Sequence, residues 1–509
     1  MLPVHPVFFA LAPILFAYAH NVRNIPIRAA ELLLPVAVTL VLSLVLMSLL
    51  ALCLRNWTKA AIAVSLFLVL FFLYGHVQVA LGSSATRQSL LMPLFAVLLA
   101  AGTILVLRAR NGLSGLTVVL NSIGLVLVII NLAAAMPGLV RGAGRREAVH
   151  GGAVGPVTGA PDIYYIILDA YTRSDYLKSI YHTDNSAFLL GLERDGFTVA
   201  GRSRPNYGVT YFSLASSLNF SYLDSVARAE GPTSVNDAPL ISMIQHSRLA
   251  AFLKRRGYHL ITFASGYTGT ELADAELRLG PFWHPTEFQM MLFSTTMLAG
   301  VLEIASSALE PELHARLVRY TLALIPRAAQ GRHPAFVFAH VVCPHTPFVF
   351  DARGARPKIT QYISLNPNAH PASLPARQLR EWYVANYGPQ VEYLDVLVRQ
   401  TVDRILADSA HPAVIILQGD HGPSHMPEHF AILNAIRVPL AVVRHPQAPV
   451  LYDSITPVNT FRVLLSRLFD TSLALLPDRS YGASVARPYD LSPVGDDRET
   501  AGAAEPAGR

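Results

Sequence analysis

Residues 413–422 read AVIILQGDHG, a short apolar run followed by an aspartate and a histidine between two glycines. A run of this length that ends at a glycine is typical of a buried β-strand. Neighbouring side chains of an extended chain point to opposite faces, but flanking glycines allow a tight turn in which Asp420 and His421 converge. Carboxylate and imidazole are ligands suited to zinc or manganese. The alternative, a capping aspartate beside an incidental histidine, is disfavoured by the buried strand that precedes the pair.

Similar short apolar runs recur between residues 161 and 490, at 163–168, 259–264, 335–342 and 438–443. Helical patterns lie between them. The clearest covers residues 380–407, where Gly388-Pro389 is expected to kink or split the helix. Continuous apolar strands that alternate with amphipathic helices predict a mostly parallel sheet covered on both faces.

Polar side chains follow the ends of these predicted strands, where ligands bind in open α/β sheets. Asp169 follows the run at 163–168, and the sequence CPHTPF (343–348) follows the run at 335–342. We expect Asp169 to be a third metal ligand, although an aspartate in this position can also cap the next helix. His345 is a candidate for binding a substrate phosphate or a structural residue in a proline-fixed loop. His340, inside its strand, is an open candidate for the same substrate-binding role.

A candidate nucleophile lies in the segment NYGVTYFSLASSLN, residues 206–219. Its beginning is typical of a turn and its remainder of a helix, which places Thr210 at the helix N-terminus. Free backbone N–H groups and the helix dipole favour an alkoxide and an incoming phosphate there. The alternative is that Thr210 is only a capping residue.

Five apolar stretches occupy the first 140 residues, at about 6–20, 31–53, 60–81, 89–107 and 115–139. Most of them reach the roughly 20 residues that cross a bilayer, so we predict about five transmembrane helices. Residues 1–150 carry ten Lys and Arg residues against two acids. This charge suggests contact with anionic lipid headgroups rather than with nucleic acid, because no basic cluster interleaved with aromatics follows. The loop charges do not favour either orientation in the membrane.

The boundaries follow from changes in composition. We predict a transmembrane domain over residues 1–140, a Gly-rich linker over 141–160, a catalytic domain over 161–490 and a disordered tail over 491–509. The two cysteines, Cys53 and Cys343, lie in different domains, so a disulfide between them is not expected. No CxxC pair is present to bind zinc through sulfur.

Taken together, these segments resemble the sulfatase-like hydrolases and transferases of the alkaline phosphatase superfamily, over about residues 161–482. The resemblance is carried by the strand that ends in Asp169, the segment around Thr210, PHTPF at 344–348 and GDHG at 419–422. The closing SITPVNTFRVLL (454–465) and LLPDRSY (475–481) are typical of bacterial members with N-terminal membrane spans. Such members include lipoteichoic acid synthases and phosphoethanolamine transferases, which have five spans and an extracytoplasmic catalytic domain.

The resemblance implies an alkaline-phosphatase-like α/β domain at the outer face of a bacterial inner membrane. By position, it implies one or two zinc or manganese ions at Asp169, Thr210, Asp420 and His421, with threonine as both ligand and nucleophile. Two positions depart from the transferases: Asp169 replaces a common glutamate, and Pro423 replaces an acidic residue. His425 and His429 are weaker candidates for a further ligand.

The resemblance also implies chemistry at phosphorus. Sulfatases need a C-x-P-x-R motif for their formylglycine, and the residues after Cys343 do not match it. The expected activity is transfer of a phosphoglycerol or phosphoethanolamine group from a phospholipid donor to a cell-envelope glycan. A phosphodiesterase or sulfatase-like hydrolase that releases the group to water is the first alternative. A non-catalytic membrane assembly protein is the second.

Overall fold

The computed structural model describes residues 2–22, 27–81, 85–110, 112–144, 159–358, 375–424, 426–484 and 487–495. The chain divides into two compact units. One contains Met1–His150 together with Pro285–Ser306, and the other contains Gly151–His284 and Ser307–Arg509.

In its described residues, the N-terminal part of the first unit is a bundle of five helices: α1 His5–Asn21, α2 Leu33–Leu54, α3 Trp57–Leu81, α4 Ala85–Arg108 and α5 Leu113–Gly144. Four of the described helical segments are long and apolar enough to cross a membrane, namely Ala29–Leu54, Trp57–Leu81, Leu90–Arg108 and Leu113–Met136. Helix α1 is shorter, with 17 residues. The predicted bundle of about five apolar helices is therefore confirmed.

Helix α3 lies at the centre of this bundle. In the most apolar stretch of α3, 61% of the residues are buried, whereas the figure is 11% in the most apolar stretch of each of the other three spans. Small residues at one end, Ala60 and Ala61, are completely buried, which allows neighbouring helices to approach closely. Nδ1 of His5 on α1 lies 2.6 Å from the hydroxyl oxygen of Ser65.

The second unit begins with strand β1 (Asp162–Leu168) and is built on a seven-stranded sheet. Its helices up to residue 254 are α6 Ser174–Ile180, α7 Ser186–Arg194, α8 Thr210–Asn219, α9 Asp224–Glu230, α10 Ala238–Gln245 and α11 Arg248–Lys254. The other strands of the unit are β2 Phe197–Val199, β3 His259–Phe263, β4 Leu277–Leu279, β5 Ala335–Val341, β6 Ala413–Gln418, β7 Asn434–Arg437, β8 Tyr481–Ser484 and β9 Arg487–Pro493. Strands β8 and β9 form a separate two-stranded sheet.

The strand order in the large sheet is β2-β7-β6-β1-β5-β3-β4. Strands β6, β1, β5, β3 and β4 are parallel, while β7 pairs antiparallel with both β6 and β2. The predicted, mostly parallel sheet is therefore confirmed.

One predicted strand is wrong: residues 438–443 contain a 3₁₀ turn at Leu440–Val442, and the strand in this region is β7. Two prolines, Pro439 and Pro446, flank the turn and remove backbone donors from a ladder.

The hydrophobic core occupies both faces of the sheet. Along β1, Tyr164 and Ile166 pack on one side and Ile163 and Tyr165 on the other. Both sets are buried because helices cover both faces, which explains the continuous apolar pattern of the strand.

The remaining helices are α12 Glu287–Ser294, α13 Ala299–Ala328, α14 Ala376–Asp408 and α15 Pro457–Leu468. Helix α14 continues through Pro389, so of the predicted kink or split at Gly388-Pro389 the split is wrong. A Cβ atom at Gly388 would lie 2.3 Å from the hydroxyl oxygen of Thr183, so close packing accounts for that glycine.

The two-unit division differs from the predicted domain order in one respect. Residues Pro285–Ser306, which include α12, belong to the unit of the membrane helices. The predicted boundaries themselves stay predictions. Helix α5 extends to Gly144 and β9 to Pro493, while residues 145–158 and 496–509 of the predicted linker and tail lie outside the described residues.

Candidate metal centre

The candidate site lies at the carboxyl ends of the central strands β1 and β6. These strands are parallel neighbours, with Ile167 opposite Gln418. The loops that follow them therefore begin side by side, and they carry Asp169 and Asp420. Asp169 is also tied to the next strand, because its backbone N–H donates to the carbonyl of Val341 at 2.9 Å.

Asp420 and His421 do converge, and the glycines beside them are required by close packing. Neither Gly419 nor Gly422 has a positive φ. A Cβ at Gly419 would lie 2.5 Å from the carbonyl oxygen of Tyr171, and one at Gly422 would lie 2.3 Å from that of Glu428. The predicted convergence is thus present, but its cause is the close approach of neighbouring backbone rather than an unusual turn.

Three potential ligand groups meet here: Asp169, Asp420 and His421 are all buried and offer ligand atoms within 4.8 Å of one another. Nε2 of His421 lies 3.7 Å from Oδ1 of Asp169 and 3.5 Å from Oδ2 of Asp420. Its Nδ1 lies 2.7 Å from the carbonyl oxygen of Gly422, which accepts a hydrogen bond from the ring. That bond leaves Nε2 as the ligand atom and turns it toward the two carboxylates.

Two buried carboxylate oxygens in this cluster have no hydrogen-bond partner within the described structure, Oδ1 of Asp169 and Oδ2 of Asp420. Buried polar atoms are nearly always satisfied, so unpaired ones call for a specific explanation. These are the oxygens that face His421 Nε2. A divalent cation between the three groups would satisfy both oxygens, and nitrogen and oxygen donors suit zinc or manganese.

The electrostatics of the two carboxylates support the same interpretation. Burial raises the pKa of Asp420, and the neighbouring Asp169 raises it further. Burial also acts against ionisation of Asp169, but the imidazoles of His345 and His340 bring its pKa well below the usual range. Burial by itself would lower the pKa of His421. The negative charges of Asp420 and Asp169 have the larger effect, so the pKa of His421 is raised. The site thus concentrates negative charge in a buried place, which a bound cation would neutralise.

Thr210 lies in the same cluster. Helix α8 begins at Thr210, and Val209 is the N-cap residue with extended backbone. Thr210 is therefore the first residue of the helix and not its cap, so the capping alternative is wrong. Its hydroxyl oxygen lies 3.1 Å from Nε2 of His421. One turn later, the hydroxyl of Ser213 donates to the carbonyl of Asp420 at 2.7 Å, which fixes the helix start against the metal-ligand loop.

The two histidines suggested for substrate binding have different surroundings. His345 is partly exposed, and its ring centroid lies 6.3 Å from that of His421. His340 is 2% exposed, with Nε2 3.1 Å from Oδ2 of Asp169 and Nδ1 2.8 Å from the hydroxyl oxygen of Thr270. Both ring nitrogens of His340 are therefore engaged inside the protein, and its ring holds the carboxylate of Asp169. Its contact with substrate stays a prediction.

A further histidine, His429, lies beside the cluster on the 3₁₀ turn Pro427–Phe430. Its ring centroid is 5.1 Å from that of His421, and its Nδ1 lies 2.9 Å from the same Gly422 carbonyl. A Cβ at Gly208 would lie 2.4 Å from Nε2 of His429, so the glycine before α8 provides space for this ring. The local sequence favoured His429 only weakly as a metal ligand, because it is the chain folding back over the site that brings this residue close to His421. His425 lies outside the described residues.

Cys343 does not take part in the site as a nucleophile. It is buried without exposure, and burial raises the pKa of its thiol far above the usual range. The hydroxyl group that faces the ligand cluster belongs to Thr210.

Comparison with known proteins identifies the family of this chain. The family model described as Sulfatase matches residues 207–476, more than half of the chain. The chain belongs to the sulfatase family. It is therefore an enzyme of the sulfatase-like phosphotransferase and hydrolase class, with membrane-spanning helices before its catalytic domain.

Several solved structures are similar to this sulfatase-family chain. The C-terminal periplasmic domain of EcEptC from Escherichia coli, in complex with zinc, is 12% identical with a TM-score of 0.40, covering 66% of this chain and 93% of that one. The integral membrane lipooligosaccharide phosphoethanolamine transferase A from Neisseria meningitidis is 13% identical with a TM-score of 0.37, covering 91% and 95%. BT1596, a 2-O glycosaminoglycan sulfatase, is 11% identical with a TM-score of 0.38, covering 65% and 74%. No curated protein matches the sequence.

Proposed function

We propose that this sulfatase-family enzyme transfers a phospho-headgroup, of the phosphoglycerol or phosphoethanolamine type, from a phospholipid to a cell-envelope glycan. The observation that carries the proposal is the hydroxyl oxygen of Thr210, 3.1 Å from His421 Nε2 and at the start of α8. A threonine in this place, without the formylglycine motif of sulfatases, favours attack on phosphorus. The first N–H groups of a helix have no partner inside it and attract an anionic phosphoryl group.

The residues of the site fit the binding of a divalent cation, zinc or manganese. Asp169, Thr210, Asp420 and His421 would hold it, and His340 would keep Asp169 in place. When bound, such an ion neutralises charge on the threonine oxygen and on the phosphoryl oxygens. The donor set allows one ion between these four residues, and a second would require further ligands.

The reaction would proceed in two displacements at phosphorus. First the Thr210 hydroxyl gives its proton to water and its oxygen bonds to the phosphorus, while the bond from phosphorus to the diacylglycerol oxygen breaks. His345 is placed to protonate the departing oxygen, since its ring lies near that of His421 and is partly exposed. Then a glycan hydroxyl gives its proton to His345, left neutral by the first displacement, and bonds to phosphorus. The bond from phosphorus to Thr210 breaks, and the Thr210 oxygen takes a proton from water.

The membrane helices support a lipid donor. Four spans hold the enzyme in the bilayer where phospholipids are available. We place the catalytic domain on the outer side of a bacterial inner membrane, because envelope glycans are there. The transferred group and the acceptor depend on the shape of the substrate pocket.

The deciding experiment is intact-mass analysis of the purified full-length enzyme with headgroup-labelled phosphatidylglycerol or phosphatidylethanolamine. We expect diacylglycerol release and a covalent adduct on Thr210 whose added mass identifies the headgroup. The Thr210→Ala variant is the matched control and should form no adduct. Full turnover by that variant with metal bound would overturn the proposal. Release of the free headgroup without a glycan acceptor would favour the hydrolase alternative.

A further inference from the structure

The segment between β4 and α13 has an unusual composition for a water-soluble domain. Residues 281–298 read PFWHPTEFQMMLFSTTML, with four aromatic residues, three methionines and a single charged residue, Glu287. Its part from Pro285 onward belongs to the unit of the membrane helices. The segment includes α12, which begins with a capping box between Thr286 and Gln289.

Helix α12 docks on the bundle through an apolar face. Phe288 and Leu292, 1% and 7% exposed, belong to the same hydrophobic cluster as Tyr18, Leu68 and Phe72 of α1 and α3. The rings of Phe288 and Tyr18 meet edge to face at 6.4 Å. On the polar side, the side-chain amide of Gln289 donates to the carbonyl of Glu31 at 3.5 Å.

Beyond α12 the chain forms backbone hydrogen bonds with α3 itself. The N–H of Gly75 donates to the carbonyl of Thr295 at 2.9 Å, and the N–H of Met297 donates to the carbonyl of Phe71 at 2.9 Å. An uninterrupted α-helix would pair the N–H of Gly75 with the carbonyl of Phe71. In this structure the N–H of Gly75 and the carbonyl of Phe71 each have a partner in residues 295–297. We call these two hydrogen bonds the Gly75 latch.

Only glycine fits at the latch. A Cβ at residue 75 would lie 2.3 Å from the carbonyl oxygen of Ser294 and 2.4 Å from Cα of Thr295. Both are backbone atoms, which cannot move aside as a flexible side chain could. The close approach of two backbones therefore depends on Gly75.

The latch lies near one end of a membrane span. Gly75 is 18 residues after Trp57, which corresponds to about 27 Å along the helix, close to the roughly 30 Å of the hydrocarbon core. His76 and Gln78 follow it, and His20 and Asn21 follow Tyr18 at the end of α1. Polar residues at these positions indicate the boundary between hydrocarbon and headgroups.

We propose that α12 and the latch lie in the lipid interface and bind the bilayer surface through the apolar side chains that remain exposed. Phe293 is 42% exposed and Leu298 is 41% exposed, although both belong to a segment packed on membrane helices. Aromatic and aliphatic side chains at this depth gain free energy by contact with the acyl-headgroup boundary. The occupant of this surface is phospholipid, because the segment packs on α1 and α3, and both of these helices carry exposed apolar side chains such as Phe16 and Leu73.

This inference does not depend on the chemistry proposed for the metal centre. It assigns a second function to the sequence between β4 and α13, which is to bind the membrane surface. A lipid-binding element within the sequence of the catalytic domain suits an enzyme whose donor is a lipid.

Fluorescence quenching by brominated phospholipids tests the proposal in the full-length protein. Trp57, Trp283 and Trp382 are replaced by phenylalanine, and a single tryptophan is introduced by Phe293→Trp. The matched control carries Leu440→Trp instead, at a site of the catalytic domain that is 85% exposed. In bilayers with bromine near the headgroup, we expect several-fold stronger quenching at residue 293 than at residue 440. Equal quenching at the two sites would overturn the proposal.

The latch is tested in the Phe293→Trp background by Gly75→Ala. Its control is Gly115→Ala on α5, where an added Cβ meets no atom within 4 Å. We expect Gly75→Ala to change the quenching of the tryptophan introduced at residue 293 and Gly115→Ala to leave it unchanged. Unchanged quenching in folded Gly75→Ala protein would refute the latch. If Gly75→Ala fails to fold, the comparison of residues 293 and 440 still decides whether the segment binds lipid.

Discussion

The hydroxyl oxygen of Thr210 lies 3.1 Å from Nε2 of His421, although the two residues are 211 positions apart in the chain. The contact depends on α8 starting at Thr210, since the preceding Val209 takes the N-cap position. The threonine side chain is therefore directed to the ligand cluster instead of to its own helix. This arrangement gives a hydroxyl, an imidazole and two carboxylates a common centre.

Replacement of Thr210 tests the covalent step. Thr210→Ala should lower kcat by roughly 10³-fold or more, because no other group takes over the covalent step. Thr210→Ser should retain part of the activity, since it keeps the oxygen but lacks the methyl group that restricts χ1. Turnover of headgroup-labelled phospholipid measures both effects. Equal activity of the alanine and serine variants would contradict the nucleophilic role.

His340 should control metal affinity through Asp169. In His340→Gln the bonds from the ring to Asp169 and Thr270 are weakened, so the carboxylate is held less firmly. We expect metal affinity to fall by about 10–100-fold, as for other residues that orient metal ligands. Titration of the metal-depleted protein with zinc or manganese measures the affinity, and excess metal should restore activity. Thr270→Val is the control and should have a smaller effect, because it leaves the Asp169 contact intact. Undiminished affinity in His340→Gln would contradict this role.

Gly208 and His429 should be energetically coupled. Gly208→Ala would place a methyl group 2.4 Å from Nε2 of His429 and displace a ring that shares the Gly422 carbonyl with His421. We expect Gly208→Ala to lower kcat/KM in the wild-type background and to have little further effect in the His429→Ala background. A double-mutant cycle measures this coupling. Additive effects of the two substitutions would show that the glycine acts independently of the histidine.

The sequence predicted the structure correctly where a local pattern of side chains is compatible with one kind of element. The predicted apolar runs at 163–168 and 413–418 are central strands, because a strand that helices cover on both faces can bury every side chain. The ligand-bearing residues after them follow from the geometry of parallel sheets. The run at 438–443 had a similar composition, but it follows the short strand Asn434–Arg437 and forms a 3₁₀ turn.

Tertiary contacts that local patterns do not encode account for the remaining differences. The proline in α14 is accommodated in a continuous helix, since neighbouring packing outweighs the loss of one backbone donor. His429 reaches the site because the chain turns back along it, and α12 joins the membrane unit through Phe288 and Leu292. Each of these features depends on residues that are distant in sequence.

Asp395 on α14 should make stability depend on pH. It accepts a 2.6 Å hydrogen bond from the hydroxyl of Tyr171, which in turn accepts one from the side-chain amide of Asn185 at 3.1 Å. Burial raises the pKa of Asp395 to about 8 from 3.8. Between these two values the folded protein binds the proton more tightly than the unfolded chain does. Its contribution to the free energy of unfolding is therefore greatest at low pH and falls as pH rises toward 8, by up to roughly 1.4 kcal/mol per pH unit.

The test of this prediction is Asp395→Asn, which stays neutral and keeps an oxygen to accept from Tyr171. We expect the variant to gain thermal stability relative to wild type as the pH is raised from about 5 to about 8.5, because the native aspartate must ionise inside the core there. Thermal unfolding of both proteins at the two pH values measures the difference. Asp403→Asn on the same helix is the control: this carboxylate is exposed and paired with Arg399, so its removal should not produce that trend. A stability difference between Asp395→Asn and wild type that does not change with pH would mean that Asp395 is already ionised in the folded protein.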